Sequence, residues 1–253
     1  MTGDVATFGF NLRRKPFDDV KVRRALSYAV DKALIMKAVG YNHSLAANGP
    51  LHPTSTFFDK SIQAYPYDPQ KAKQLLDEAG YPVKADGFRF SMELTSRSGH
   101  FLYTKTNEIL ADNFKAIGIN AKIKVYESAA YVSAMYEKWD FDIAGALPIS
   151  GFDPHNLAGY YSCSNIKPVS QANFMGYCNP QVEQWFKDAA GEQDVAKRTQ
   201  IYSQIQKQLV DEAPAIWTIG NVDWVAYRNN FHGLPPGPWN GRDPFEKVWV
   251  TSP

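Results

Sequence analysis

The chain has 253 residues, 44% hydrophobic and 21% charged, a composition that suits a globular protein with a substantial core. Lys and Arg number 27 against 26 Asp and Glu, a formal charge of +1 that gives no global field for holding a nucleic-acid backbone. No apolar run approaches the ~20 residues of a membrane span. Aromatic residues reach 14% and are suited either to stacking on a ligand or to filling an α/β core.

In chain order, Ala6–Asn11 alternates as a strand, and Lys15-Pro16 breaks it. Asp18 or Asp19 then caps one helix running from Val20 to Ile35, with Val22, Ala25, Leu26, Ala29, Val30 and Ala33 at helical spacing. Residues 40–66 read as a long irregular loop. Asp68 caps a helix with Pro69 at its first position and Gly80 at its end. A strand (Phe88–Leu94), a helix (Phe101–Ile117, closed by Gly118) and a second strand (Ile119–Val125) follow. Ser128 caps a helix to about Lys138, and Phe141–Ala146 is a further strand. This alternation predicts an α/β layer with helices packed on a sheet. A Gly/Asn/Ser-rich stretch spans Leu147–Pro180, then come helices near 181–190 and 195–211, the second capped by Asp194. Strand-like runs at 215–219 and 222–228 precede a turn-rich tail that has no helix and too few strands for a core of its own.

Catalytic and metal signatures are missing. The five histidines are scattered, and no zinc-spaced Cys pair, phosphate-binding loop, dinucleotide fingerprint or Gly-x-Ser-x-Gly is present. Neither a metal nor a cofactor is expected. Asp153 beside His155 in the 147–178 loop leaves a small hydrolase as the alternative reading. Cys163 and Cys178, too far apart for a redox Cys-x-x-Cys, could form a disulfide or remain two buried thiols.

Several stretches, taken together and in order, carry a resemblance. They are Phe10-Asn11 with Pro16-Phe17 and Arg23 through Tyr28-Ala29 to Asp31; Tyr67-Asp68-Pro69 through Leu75-Leu76 to Gly80-Tyr81; Ile117-Gly118-Ile119; Asp140-Phe141-Asp142; and Lys197-Arg198 with Tyr202 and Gln206 leading to Ala213-Pro214. The sequence resembles the C-terminal half of the extracytoplasmic solute-binding proteins of ABC importers, in the peptide/nickel (family 5) type. That resemblance implies a class II periplasmic-binding-protein-like α/β lobe, a mixed sheet flanked by helices. Residues 1–10 would be a hinge strand from an absent N-terminal lobe, 11–220 the C-terminal ligand-binding lobe, and 221–253 a return segment that packs on the other lobe.

It implies a non-catalytic, periplasmic protein that captures a small solute between two lobes and hands it to the ABC permease. By position, Arg97 would pair with a ligand carboxylate, a task suited to a guanidinium. The family's ammonium-binding Asp, three residues before Asp153-Pro154, is Ser150 here, and a hydroxyl cannot neutralise an enclosed ammonium. A carboxylate-bearing solute therefore fits better than an ordinary peptide held by its N-terminus. Phe152, Asp153 and Tyr160 join the contact set, with Asn11 near the hinge; Phe152 and Tyr160 could equally be core. The family's Cys pair around the corresponding loop implies a Cys163–Cys178 disulfide.

Overall fold

The computed structural model describes residues 4–63, 65–146, 153–222, 227–233 and 246–251. Its centre is a six-stranded mixed sheet. In chain order the strands are β1 (Val5–Phe10), β2 (Leu45–Ala46), β3 (Phe90–Arg97), β4 (Ile119–Tyr126), β5 (Ile143–Ala146) and β6 (Ala215–Gly220), arranged β2-β6-β1-β5-β3-β4. β3 runs parallel to β4 and β5, whereas β1 runs antiparallel to β5 and β6.

β1 is the middle of this sheet, and all six of its residues are buried. Its alternation divides two cores. Ala6, Phe8 and Phe10 join Leu94, Ile143 and Ile216 under α1 (Val20–Tyr28), α2 (Lys32–Ala38), α3 (Pro69–Glu78) and α4 (Phe101–Ala116). Val5 joins Ala144, Ala146 and Trp217 on the other face, beneath α5 (Ser128–Val132), α6 (Ala158–Tyr161), α7 (Pro180–Gly191) and α8 (Val195–Glu212). The result is a sheet with helices on both sides, as the strand–helix alternation predicts. Gly9 is required on the second face, because a Cβ there would lie 2.6 Å from Phe174 Cζ and 2.7 Å from Met175 Cγ.

Local chemistry sets most helix ends. Asp19 accepts from Lys21 N, Asp68 from Lys71 N, and Asp194 from Ala196 and Lys197 N. Gly80 and Gly118 each adopt φ 83° just past a helix end. Two helix readings are corrected. The single helix expected over Val20–Ile35 is two, because Asp31 caps a fresh start by accepting from Leu34 N, while its own N–H donates to Asn113 Oδ1. Ser128 is the first helical residue of α5 rather than its cap; Glu127 takes that place without a side-chain bond, and the helix ends in a π-helical turn, Ser133–Glu137.

Beyond β6, the strand-like run at 222–228 lies mostly outside the described residues. Farther on, β7 (Phe231–His232) pairs with β8 (Trp249–Val250), leaving Phe231, Trp249 and Val250 exposed.

Candidate functional site

In α/β sheets the strands' carboxyl ends are where ligand-binding loops gather. The parallel strands β3 and β5 end on one edge, where β1 begins and β6 finishes. Arg97 closes β3 two residues past the Thr95↔Ala144 pair. Val5 pairs with Gly220 on the same edge, and Asn221 N donates to Asp4 O at 2.9 Å.

Arg97 is partly buried, and its guanidinium has neither an ion pair nor a hydrogen bond among the described residues. Its charge acts on a set of rings. His100 lies between β3 and α4 and stacks on Tyr103, with centroids 3.8 Å apart and an interplanar angle of 10°. Tyr103 stacks in turn on Tyr131 (6.5 Å) and meets Phe8 edge-on (6.3 Å). Gly145 makes room: a Cβ there would come within 2.8 Å of the Tyr103 ring. Tyr131 is held by donating its hydroxyl to Gly145 O.

Burial, then the nearby Arg97 charge, lowers the His100 pKa. Burial raises the Tyr103 and Tyr131 pKa values, with Arg97 opposing. Tyr160 is 7% exposed, and burial together with Asp4 pushes its pKa up to about 12. These phenols therefore stay neutral hydrogen-bonding groups at any physiological pH. At the rim, Phe101 and Tyr41 stack on each other (6.3 Å) while both remain exposed.

Of the residues singled out from the sequence, Arg97 and Tyr160 both influence the Tyr103 phenol electrostatically. Asn11 lies elsewhere. It follows the opposite end of β1, a six-residue strand and so about 20 Å away. Its amide is fully engaged: Nδ2 donates to Trp139 O (2.8 Å) and Phe141 O (3.0 Å), and Oδ1 accepts from Arg13 N. Ser150 and Phe152 lie outside the described residues.

Asp153 caps a 3-10 turn (Pro154–Leu157) by accepting from His155 N, and both its oxygens lie within 3.0 Å of Arg198 Nη2 on α8. Burial works against its ionisation, but those bonds outweigh it and leave its pKa lowered. His155 Nδ1 is buried with no hydrogen-bond partner among the described residues. The carboxylate and imidazole therefore form no acid/base dyad through that nitrogen, and the carboxylate is committed to α8 instead.

Cys163 and Cys178 are disulfide-bonded, Cα atoms 4.5 Å apart, and Asn173 fastens the loop between them to Ser162 O and Tyr177 O. Tyr103, Tyr131, His100 and Asp4 escaped sequence reasoning. The available signal was position: they follow or face the carboxyl end of a parallel strand.

Residues 1–168 match the model of the bacterial extracellular solute-binding proteins, family 5, middle region. The chain belongs to that family. Among curated family 5 relatives, it is 34% identical over 251 residues to heme-binding protein A of Haemophilus influenzae, spanning 98% of this chain and 44% of that one. It is 31% identical over 252 residues to the dipeptide-binding protein of Escherichia coli, spanning 98% and 46%. The chain thus spans less than half the length of these curated relatives.

Solved family 5 structures align as closely. The oligopeptide-binding protein AppA of Bacillus subtilis, in complex with a nonapeptide, superposes at TM-score 0.87 and 25% identity, over 100% of this chain and 51% of that one. The dipeptide-binding protein of a Pseudoalteromonas species, in complex with Met-Leu, gives TM-score 0.84 and 27% identity over 98% and 48%.

Proposed function

We propose that this chain is one lobe of the solute-binding component of an ABC importer, and that its tyrosine-lined edge is half of the capture site. The solute is a small compound bearing a free carboxylate, received by Arg97 and delivered to a membrane permease. The observation that carries this reading is the Arg97 guanidinium itself. It sits at the carboxyl end of a parallel strand, partly buried beside stacked rings, with no acidic partner among the described residues. Dipeptides, heme and glutathione, named for the relatives, all carry carboxylates, so one cation serves the shared chemistry.

A second lobe completes the site. The entry to β1 and the exit from β6 lie side by side, bonded through Asp4 O and Asn221 N, an arrangement suited to a two-strand hinge. Because β1 is the buried centre of this sheet, we draw the crossing at Asp4 and Asn221 rather than after residue 10. The exposed Phe231, Trp249 and Val250 would then pack on that lobe. An extracytoplasmic location accords with the Cys163–Cys178 bond, since disulfides persist in oxidising compartments. No catalysis is assigned to the site.

The test is mass spectrometry of the solute that co-purifies with the full-length protein, followed by calorimetry on the Arg97→Ala variant. The expected result is a carboxylate-bearing solute and an affinity loss of about 100-fold, the scale of removing one partner from an enclosed charged contact. A solute without a carboxylate, or an unchanged affinity, would refute the reading. The isolated chain, lacking half of the enclosing surface, should bind the same solute much more weakly than the full-length protein.

A further inference from the structure

Resting on that reading, we propose that Tyr41 and Phe101 form an aromatic latch that docks on the second lobe when the two lobes close over a solute. The two rings stack at 6.3 Å with an interplanar angle of 9°, yet Tyr41 remains 67% exposed and Phe101 54%. A pair of large rings left in solvent forgoes the burial that aromatic side chains normally gain.

The turn that carries Tyr41 is built rather than loose. Tyr41 (φ 49°) and Asn42 (φ 61°) are consecutive non-glycine residues in the left-handed region, a conformation that persists only where the surroundings impose it. Here Asn42 N donates to Met36 O at 3.1 Å, and His43 N to Gly40 O at 2.7 Å. Gly40 has no room for a side chain, since a Cβ would lie 1.9 Å from Ser44 Oγ and 2.9 Å from Met36 O. Phe101 is fixed as well. It is the first residue of α4, directly after His100, whose ring stacks on Tyr103. A pinned and strained backbone thus holds exposed rings in place, as a contact outside this chain requires.

Position selects the second lobe as that contact. Phe101 follows Arg97 by four residues, at the carboxyl end of β3. Tyr41 precedes β2 by four residues, and Leu45 of β2 pairs with Gly220, the last residue of β6 before the crossing at Asn221. At no more than ~3.6 Å per residue, Tyr41 lies within about 14 Å of Leu45. Both rings therefore sit on the edge from which the second lobe departs, in a chain that spans less than half the length of its curated relatives. Closure brings that lobe down on them, and a flat ring pair suits apolar side chains or peptide groups on its facing surface.

Such a latch acts on every solute alike. Its contact exists only in the closed form, so its loss lowers the closed population and weakens all solutes by one common factor. Arg97 acts through the solute's carboxylate instead, and the two roles separate by experiment.

The test uses the full-length protein with a benzophenone-bearing phenylalanine in place of Tyr41, irradiated with and without Ala-Ala, glutathione or haemin. The expected cross-link joins position 41 to the second lobe of the same molecule and increases when a probe binds. Cross-links to a second copy or to the probe, or no cross-link at all, overturn the proposal. In calorimetry, Phe101→Ser should weaken every probe that binds the wild type by the same factor, about tenfold, whereas Tyr41→Phe keeps the ring and should retain the affinity. Weakening of one probe alone would place the rings against the solute and overturn the latch, as would unchanged affinities. Arg97→Ala without effect on the same probes refutes the carboxylate reading, and the latch then stands on its cross-link.

Discussion

At the Asn11 end of the sheet, nearly every polar side chain is engaged with the protein itself. Arg23, 6% exposed, donates to Phe17, Asp18, Glu212 and Ala213 carbonyls, fixing the left-handed Ala213 (φ 46°) that ends α8. Arg14 reaches Asp140 and Asp142, and Arg13 lies over the Trp139 ring at 4.1 Å while bonding Phe174 O. The Trp139 Nε1 is an exception, buried without a partner. At the Arg97 end the balance reverses. Among the described residues the Arg97 guanidinium has no ion pair, and buried Thr95 Oγ1 and His100 Nδ1 have no hydrogen-bond partner. Thr106 Oγ1 and Asn107 Oδ1, early in α4, are in the same condition. Folded proteins rarely leave buried polar atoms unmatched, so their presence here accords with the proposed solute edge, while the matched end holds the fold.

Removing charge and bonds at the matched end should cost the most stability. Arg23→Ala strands four carbonyl groups, those of Phe17 and Ala213 in buried bonds, and should destabilise by ~3 kcal/mol or more in urea denaturation. A shift under 1 kcal/mol would show that this end is not the anchor. Replacing both Cys163 and Cys178 by Ser reopens a 15-residue loop that packs on β1 at that end, an expected loss of ~3 kcal/mol. Asn11→Ala leaves the Trp139 and Phe141 carbonyls unpaired and should cost ~2 kcal/mol with no change in solute affinity in the full-length protein. An affinity loss there would break the division between the two ends.

A smaller effect is expected from Lys32, which donates to Ala47 O beside β2, next to the C-terminal end of β6. Burial lowers its pKa from the ordinary 10.5 to about 8. Between pH 8 and 10.5 the unfolded chain then holds the proton more tightly than the folded one, so Lys32 makes stability rise with pH across that window. Subtracting the profile of Lys32→Met from that of the wild type should isolate the rise; parallel profiles would contradict it. The smallest change in stability, within ~0.5 kcal/mol, is expected for Arg97→Ala, because its guanidinium makes no hydrogen bond or ion pair among the described residues. A large destabilisation would make Arg97 a structural residue.

Much of the fold was readable because the signals are local. Asp68-Pro69 before an apolar stripe with Gly80 after it can hardly form anything but a capped helix, and α3 is that helix. The same reasoning overran at Asp31. A continuous apolar stripe outvoted a capping residue in the pattern, whereas in the folded chain Asn113 supports the cap from another helix. The candidate site was only partly readable. Arg97 could be named from a resemblance, but its ring partners come from α4 and α5, and Gly145, which admits the Tyr103 ring, is 42 residues away in the chain.

The sequence by itself determined the helix caps, the two-sided apolar pattern of β1 and the resemblance to the family 5 solute-binding proteins, because caps, side-chain periodicity and motifs are encoded among near neighbours. Only the tertiary structure decided which polar residues hold the chain together and which are left for a solute. Asn11 and Asp153 became fasteners because carbonyls 128 and 130 residues away and an arginine 45 residues away arrived beside them. Arg97 kept its charge uncommitted because the strand order brought rings, and no described carboxylate, within its reach. Hydrogen bonds and ion pairs act over a few ångströms, and the neighbours within that range are chosen by strand order and register rather than by position in the chain.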